Sequence, residues 1–223
     1  MEHKKLKPLP IGIQTYSEVI KRGWLYIDKT KYIVKMQEAS KYIFLSRPRR
    51  FGKSLLVSTL QAYFEGKKEL FKGTYIYSAE KEWTEYPVLR FDLSTAKHAN
   101  AEELKQELDS KLSAYEQIYG KGLPTLVKLN QRLQGLIERA HALTGNQVVL
   151  LFDEYDAPLL DVVHKQDQLE QLREVMRNFY SPLKYSDPHL KFVFITGITK
   201  FSQLSIFSEL NNLRNISMEE EYA

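Results

Sequence analysis

Eight consecutive residues, Arg47-Pro48-Arg49-Arg50-Phe51-Gly52-Lys53-Ser54, carry the densest chemistry in the chain. Gly52, Lys53 and Ser54 match the end of the phosphate-binding pattern G-x-x-x-x-G-K-[ST], and Arg47 stands where its first glycine belongs. A glycine lets the backbone approach phosphate oxygens. The N–H groups opening a helix add partial positive charge. On this reading Arg49, Arg50, Phe51, Gly52, Lys53, Ser54 and Leu55 surround a nucleotide's phosphates. Lys53 reaches the β- and γ-phosphates, and the Ser54 hydroxyl ligates Mg²⁺, a cation that prefers oxygen. A Gly-Lys-Ser triplet also serves as a plain helix-capping turn, and loop arginines are commonly just solvated. The motif therefore needs a second one.

The second lies one hundred residues on, where Val148-Val149-Leu150-Leu151-Phe152 runs into Asp153-Glu154. An apolar strand ending in Asp-Glu is a Walker B pattern. Asp153 would sit at the carboxyl end of a central strand, where ligands of open α/β sheets bind, and hold Mg²⁺ through water beside Ser54. Glu154 would polarise the attacking water. Alone, Asp153 reads more readily as the start of a turn that caps the next helix, near Pro158. The two motifs together, in this order and spacing, give a nucleotide site. A glutamate directly after the aspartate selects the P-loop branch with an additional strand and a catalytic glutamate. That strand is Lys191–Gly197, expected between the strands of the two motifs in a 5-1-4-3-2 order. Thr196 at its end would be a polar sensor, though a strand-end threonine also has a purely structural reading. The catalytic set is thus Lys53, Glu154 and Thr196, and the metal set Ser54 and Asp153.

Periodicity supplies elements to position these residues. Tyr42–Leu45 reads as a buried strand, and Ser54–Phe64 as the helix after the phosphate loop. Pro87–Leu93, Gln147–Phe152 and Lys191–Ile198 read as strands, and Asn212–Ser217 as a last short one. Helices are expected at Ser17–Lys21 with Ser17 as N-cap, Thr30–Ala39, Ala101–Tyr119, Pro124–Leu143 and Asp167–Tyr180. Trp24–Ile27 reads as a short strand before the core. Strands alternating with helices predict a mostly parallel α/β sheet covered on both faces. Residues 1–40 read as a lead-in packed on a core spanning 41–223, with residues 1–10 a frayed tail.

The 223 residues, 43% hydrophobic and 27% charged, suffice for a real core. With no cysteine, disulfides, thiolate metal sites and a cysteine nucleophile are excluded. A formal charge of +4 permits an anionic partner without requiring one. No signal peptide or apolar run of spanning length is read, so a cytoplasmic location without a membrane is expected. The five histidines are scattered. The Glu103-Leu104-Lys105 triplet downstream of Asp92, which has a nuclease-like spacing, falls in a charged amphipathic helix and reads as a solvated face. Trp24 and Tyr26 either pack over a nucleotide base or only against the core.

These motifs, with Leu-Phe-Asp-Glu-Tyr-Asp-Ala-Pro, Phe-Ile-Thr-Gly-Ile-Thr-Lys-Phe, the opening Leu-Pro-Ile-Gly-Ile-Gln-Thr-Tyr-Ser-Glu-Val, Tyr-Ile-Asp-Lys-Thr and the late Leu-Asn-Asn-Leu-Arg-Asn-Ile-Ser, resemble the AAA-ATPase-like family of bacterial P-loop proteins over nearly the whole chain. The resemblance implies ATP and Mg²⁺ as cofactors, a P-loop that tolerates Arg at position 47, and hydrolysis as motor or switch of a larger system. In longer forms it implies a nuclease-like domain of the PD-(D/E)XK type after the ATPase. That domain and a helical lid are expected to be missing here. ATPases of this branch often form homo-oligomers that share an arginine across subunits, for which Arg173, Arg177 and Arg214 are the candidates. Two alternatives stay open: a nucleotide-binding switch with negligible hydrolysis, and a nucleic-acid-associated module of a nuclease system.

Overall fold

A computed structural model describes residues 6–125, 127–199, 206, 207, 210 and 212–222. Five parallel strands form one sheet: β1 (Tyr42–Ser46), β2 (Val88–Asp92), β3 (Val148–Asp153), β4 (Leu190–Gly197) and β5 (Arg214–Asn215). Their spatial order is β2-β3-β4-β1-β5, which from the β5 edge reads 5-1-4-3-2. β4 is hydrogen-bonded to β1 on one side and β3 on the other.

Alternation divides the strands between two cores, as the two-residue period of a pleated strand requires. Tyr42, Phe44, Leu89, Phe91, Leu150, Phe152, Val193 and Ile195 face one side. There they meet α5 (Ala101–Tyr119), α6 (Leu129–Thr144) and α8 (Gln166–Tyr180). Ile43, Leu45, Val149, Leu151, Phe192 and Phe194 face the other. That side is covered by α1 (Tyr16–Lys21), α2 (Lys31–Ala39), α3 (Lys53–Phe64) and the short α4 (Tyr75–Ala79). Both faces are buried, which explains why β3 is apolar at every position before its terminal aspartate.

Several local readings are corrected. Trp24–Ile27 is not a strand. Its aromatic and β-branched composition serves packing instead, with the Tyr26 ring edge-on to Tyr16 at 4.9 Å, and Leu25 N–H donates to Pro8 C=O rather than to a strand. The helix expected at Pro124–Leu143 begins only at Leu129. The described residues between Gly120 and Lys128 are mostly exposed, so no apolar face there repays helix formation. α1 starts at Tyr16 with Thr15 as its N-cap, so Ser17 lies in the first turn. A further short helix, α7 (Ala157–Asp161), follows β3 directly. Lys200, Phe201 and Asn211 of the family-like segments, residues 1–5 of the tail and Ala223 lie outside the described residues. No described helix is long and apolar enough to cross a membrane.

Candidate nucleotide-binding site

β1 ends at Ser46 and α3 starts at Lys53, so the phosphate loop spans six residues at the carboxyl end of the sheet. Two of its residues are left-handed: Gly52, with φ +76°, and Arg50, with φ +68°. A Cβ on Gly52 would meet nothing within 4 Å, so its requirement there is backbone conformation rather than space. Arg47, in the place of the pattern's first glycine, is not among the left-handed residues. Its guanidinium turns toward the β5 side and donates to the carbonyls of Ser217 and Tyr222. Ser217 Oγ also accepts from Ser46 N–H at 2.8 Å. Arg49, Arg50 and Phe51 are exposed at the rim.

Lys53 points inward and is buried. Its Nζ lies 3.0 Å from Glu154 Oε1 and donates to the Pro48 carbonyl at 3.3 Å. Asp153, at the end of β3, is wholly buried. Its Oδ2 is 3.4 Å from Nη2 of Arg90 on β2, and its Oδ1 makes no hydrogen bond. Burial pushes the Asp153 carboxyl up to about 6. The Ser54 hydroxyl and the Arg90 guanidinium pull it down, while the Asp92 and Glu154 carboxylates push it further up. Thr196, at the end of β4, is also fully buried, with an Oγ1 that makes no hydrogen bond. The fold therefore assembles Lys53, Ser54, Asp153 and Glu154 at the loop, with Thr196 on the strand between the two motifs.

Donors here are carboxylate and hydroxyl oxygens, a set that fits Mg²⁺. Among the described residues no group of three or more His, Cys, Asp or Glu could hold a metal alone. Mg²⁺ sites characteristically use one or two carboxylates and complete their shell with phosphates and water, so the unbonded Asp153 Oδ1 suits that part.

Beside Gly52 and Lys53 opens a cavity of about 350 Å³, walled by Leu25, Tyr26, Tyr32, Phe51, Leu55 and Tyr222 among others. Tyr26 thus borders the loop, whereas Trp24 lies under the Arg22 guanidinium, 5.1 Å from its ring centre. Of the arginines considered as shared residues, Arg173 pairs with Glu170 on its own helix and Arg214 with Glu219. Arg177 lies on α8, which packs on the sheet face away from α3. Sequence reading missed Arg90, Tyr32 and Tyr222. Arg90 was findable as a charge in the middle of an otherwise apolar strand. Tyr32 and Tyr222 have no sequence signal, being brought to the loop from opposite ends of the chain.

An open parallel α/β sheet with a Gly-Lys-Ser turn after the interior strand β1 is compatible with a P-loop-like fold. Residues 10–207 match the family described as Predicted AAA-ATPase, and the chain belongs to that family. Membership implies binding of a nucleotide, ATP. The chain is also 39% identical over 219 residues to the "Uncharacterized protein in vnfD 5'region" of Azotobacter chroococcum mcd 1. The match covers 97% of this chain and 42% of that relative, so the chain spans well under half of the relative's length. No solved structure matches.

Proposed function

We propose that the chain binds ATP with Mg²⁺ and hydrolyses it, as the motor or switch of a larger bacterial system. It belongs on this reading to the P-loop branch with an additional strand and a catalytic glutamate. The observation that carries the reading is the convergence of Lys53 and Glu154 beside Asp153, at the carboxyl ends of β1 and β3. Lys53 and the α3 N-terminus take the phosphates. Ser54 and Asp153 would hold Mg²⁺, which would supply charge neutralisation of the bound phosphates. Glu154 accepts a proton from water as the water oxygen bonds to the γ-phosphorus and the bond to the ADP oxygen breaks. Thr196 supports that water or the γ-phosphate. The apolar cavity beside Gly52 receives the base. The direction of the Arg47 side chain supports a loop that functions without its first glycine.

A second reading, a nucleotide switch with negligible turnover, is favoured by the Lys53–Glu154 contact, which occupies both residues at once. Calorimetry with ATP and GTP, with and without Mg²⁺, followed by phosphate-release assays, separates the two. Binding with turnover supports hydrolysis, binding without turnover supports the switch, and no binding of either nucleotide overturns both.

A further inference from the structure

Three residues after Asp153 stands a carboxylate outside the roles assigned so far. Asp156 is fully buried, and burying a charge is costly unless it is thoroughly hydrogen-bonded. Among the described residues, the partners of its carboxylate lie just beyond β4. Oδ1 and Oδ2 accept from Ile198 N–H at 3.1 and 3.0 Å, and Oδ2 accepts from Thr199 N–H at 2.6 Å and from the Thr199 hydroxyl at 2.8 Å. One residue earlier, Tyr155 N–H donates to Thr196 C=O at 2.9 Å, and the Tyr155 hydroxyl donates to Thr199 C=O at 2.9 Å. Gly197 sits inside this clasp. A Cβ there would come within 2.5 Å of Asp156 Oδ1 and 2.6 Å of the Tyr155 ring, so the two segments approach as closely as they do because position 197 has no side chain.

The clasp joins the two places where chemistry is assigned. Glu154 lies between the end of β3 and the tied Tyr155, and it holds a left-handed φ of +52°, unusual outside glycine. Such a conformation persists only where its surroundings impose it. Thr196 lies one residue before the clasped Gly197. We infer that Asp156 is a positioning residue for hydrolysis: its carboxylate fastens the exit of β4 to the corner after β3 and so fixes Glu154 and Thr196 relative to one another. The inference rests on the ATPase reading above. It adds that the corner's geometry is set by a carboxylate that touches neither phosphate nor metal.

The test uses Asp156→Asn in the whole chain. Asparagine keeps the shape but replaces one acceptor oxygen with a donor facing N–H groups. The Ile198 and Thr199 amides should exchange with solvent at least about tenfold faster than in wild type. ATP affinity should stay within about threefold. kcat should fall about 10- to 100-fold with little change in KM, the scale for a small misplacement of catalytic groups. Thr199→Val, which removes one donor to Oδ2, should lower kcat by a few-fold and serves if Asp156→Asn does not fold. A folded Asp156→Asn protein with wild-type kcat, or with unchanged exchange at Ile198 and Thr199, overturns the inference alone. If Asp156→Asn is unfolded, wild-type kcat in Thr199→Val overturns it. A wild-type protein that does not turn over ATP overturns the ATPase reading and this role together.

Discussion

Lys53 and Glu154 neutralise one another inside the molecule: the ammonium of the phosphate loop lies 3.0 Å from the carboxylate that follows β3, with side-chain exposures of 3% and 17%. On the proposed reading, a phosphate arriving at the loop would compete with a carboxylate already in place. The two residues assigned to binding and to chemistry are coupled before any ligand arrives, and each substitution acts on both.

Lys53→Ala removes the cation meant for the phosphates. A ligand that binds only the folded protein stabilises it by about 2.7 kcal/mol at a hundredfold excess over Kd, and this ATP-dependent gain should vanish. Without nucleotide the variant should also be less stable than wild type by about 1–3 kcal/mol, because Glu154 is left partly buried without its partner. Thermal denaturation with and without Mg-ATP reads both effects. An undiminished ATP-dependent shift in the folded variant rules out Lys53 as the phosphate anchor.

Glu154→Gln has the opposite signature. Turnover should slow by about 10²–10⁴, the range for losing a general base. ATP should bind as tightly as to wild type or a few-fold tighter, since Lys53 is released from its ion pair. Phosphate release and calorimetry on the same preparation decide it. Equal turnover in the two proteins removes Glu154 from the mechanism.

The Asp153 carboxyl, raised by burial to about 6, must lose its proton to serve a cation. Mg²⁺-dependent tightening of nucleotide binding should therefore strengthen as pH rises from about 5 to 7. Stability without ligand runs the other way. A carboxyl whose folded pKa is raised contributes stability that is fully present below its unfolded value near 4 and is lost as pH rises through about 6. Asp153→Asn should accordingly be more stable than wild type at pH 8, by roughly 1–3 kcal/mol, with the advantage shrinking toward pH 4 and the Mg²⁺ effect abolished. Denaturant melts across that range check the sign. An advantage that grows on acidification contradicts the raised value.

Arg47→Gly restores the missing glycine of the phosphate pattern, yet it should not improve binding. The arginine's guanidinium holds the carbonyls of Ser217 and Tyr222, and hydrogen bonds from a charged donor contribute about 1.5–3 kcal/mol. The variant should lose about 1–2 kcal/mol of stability, with ATP affinity unchanged within a few-fold. A marked gain in affinity would mean that the arginine obstructs the loop.

What the sequence determined by itself is what local pattern encodes. A run of apolar residues closed by Asp153-Glu154 makes 148–153 a doubly buried strand. Gly-Lys-Ser after another such run marks a turn into a helix, and Asp153-Glu154 marks a strand end with two carboxylates. Alternating strand and helix patterns restrict the sheet to a parallel one, because parallel neighbours need crossovers. The positions of Lys53, Ser54, Asp153, Glu154 and Thr196 were all legible in this way. Tertiary structure alone decided their contacts. Arg90 reaches Asp153 because Asp92 pairs with Asp153 in the β2–β3 register. Asp156 closes on Ile198 and Thr199 because β4 lies beside β3. The aromatic run at 24–27 has the composition of a strand but pairs with none among the described residues, and its Leu25, Tyr26 and Ile27 line a cavity beside the loop. Periodicity reports which side of an element is apolar, a property of a few neighbouring residues. Which side chains then meet depends on residues far apart in the chain, as with Arg90 and Asp153 or Asp156 and Thr199, and no local window contains both partners.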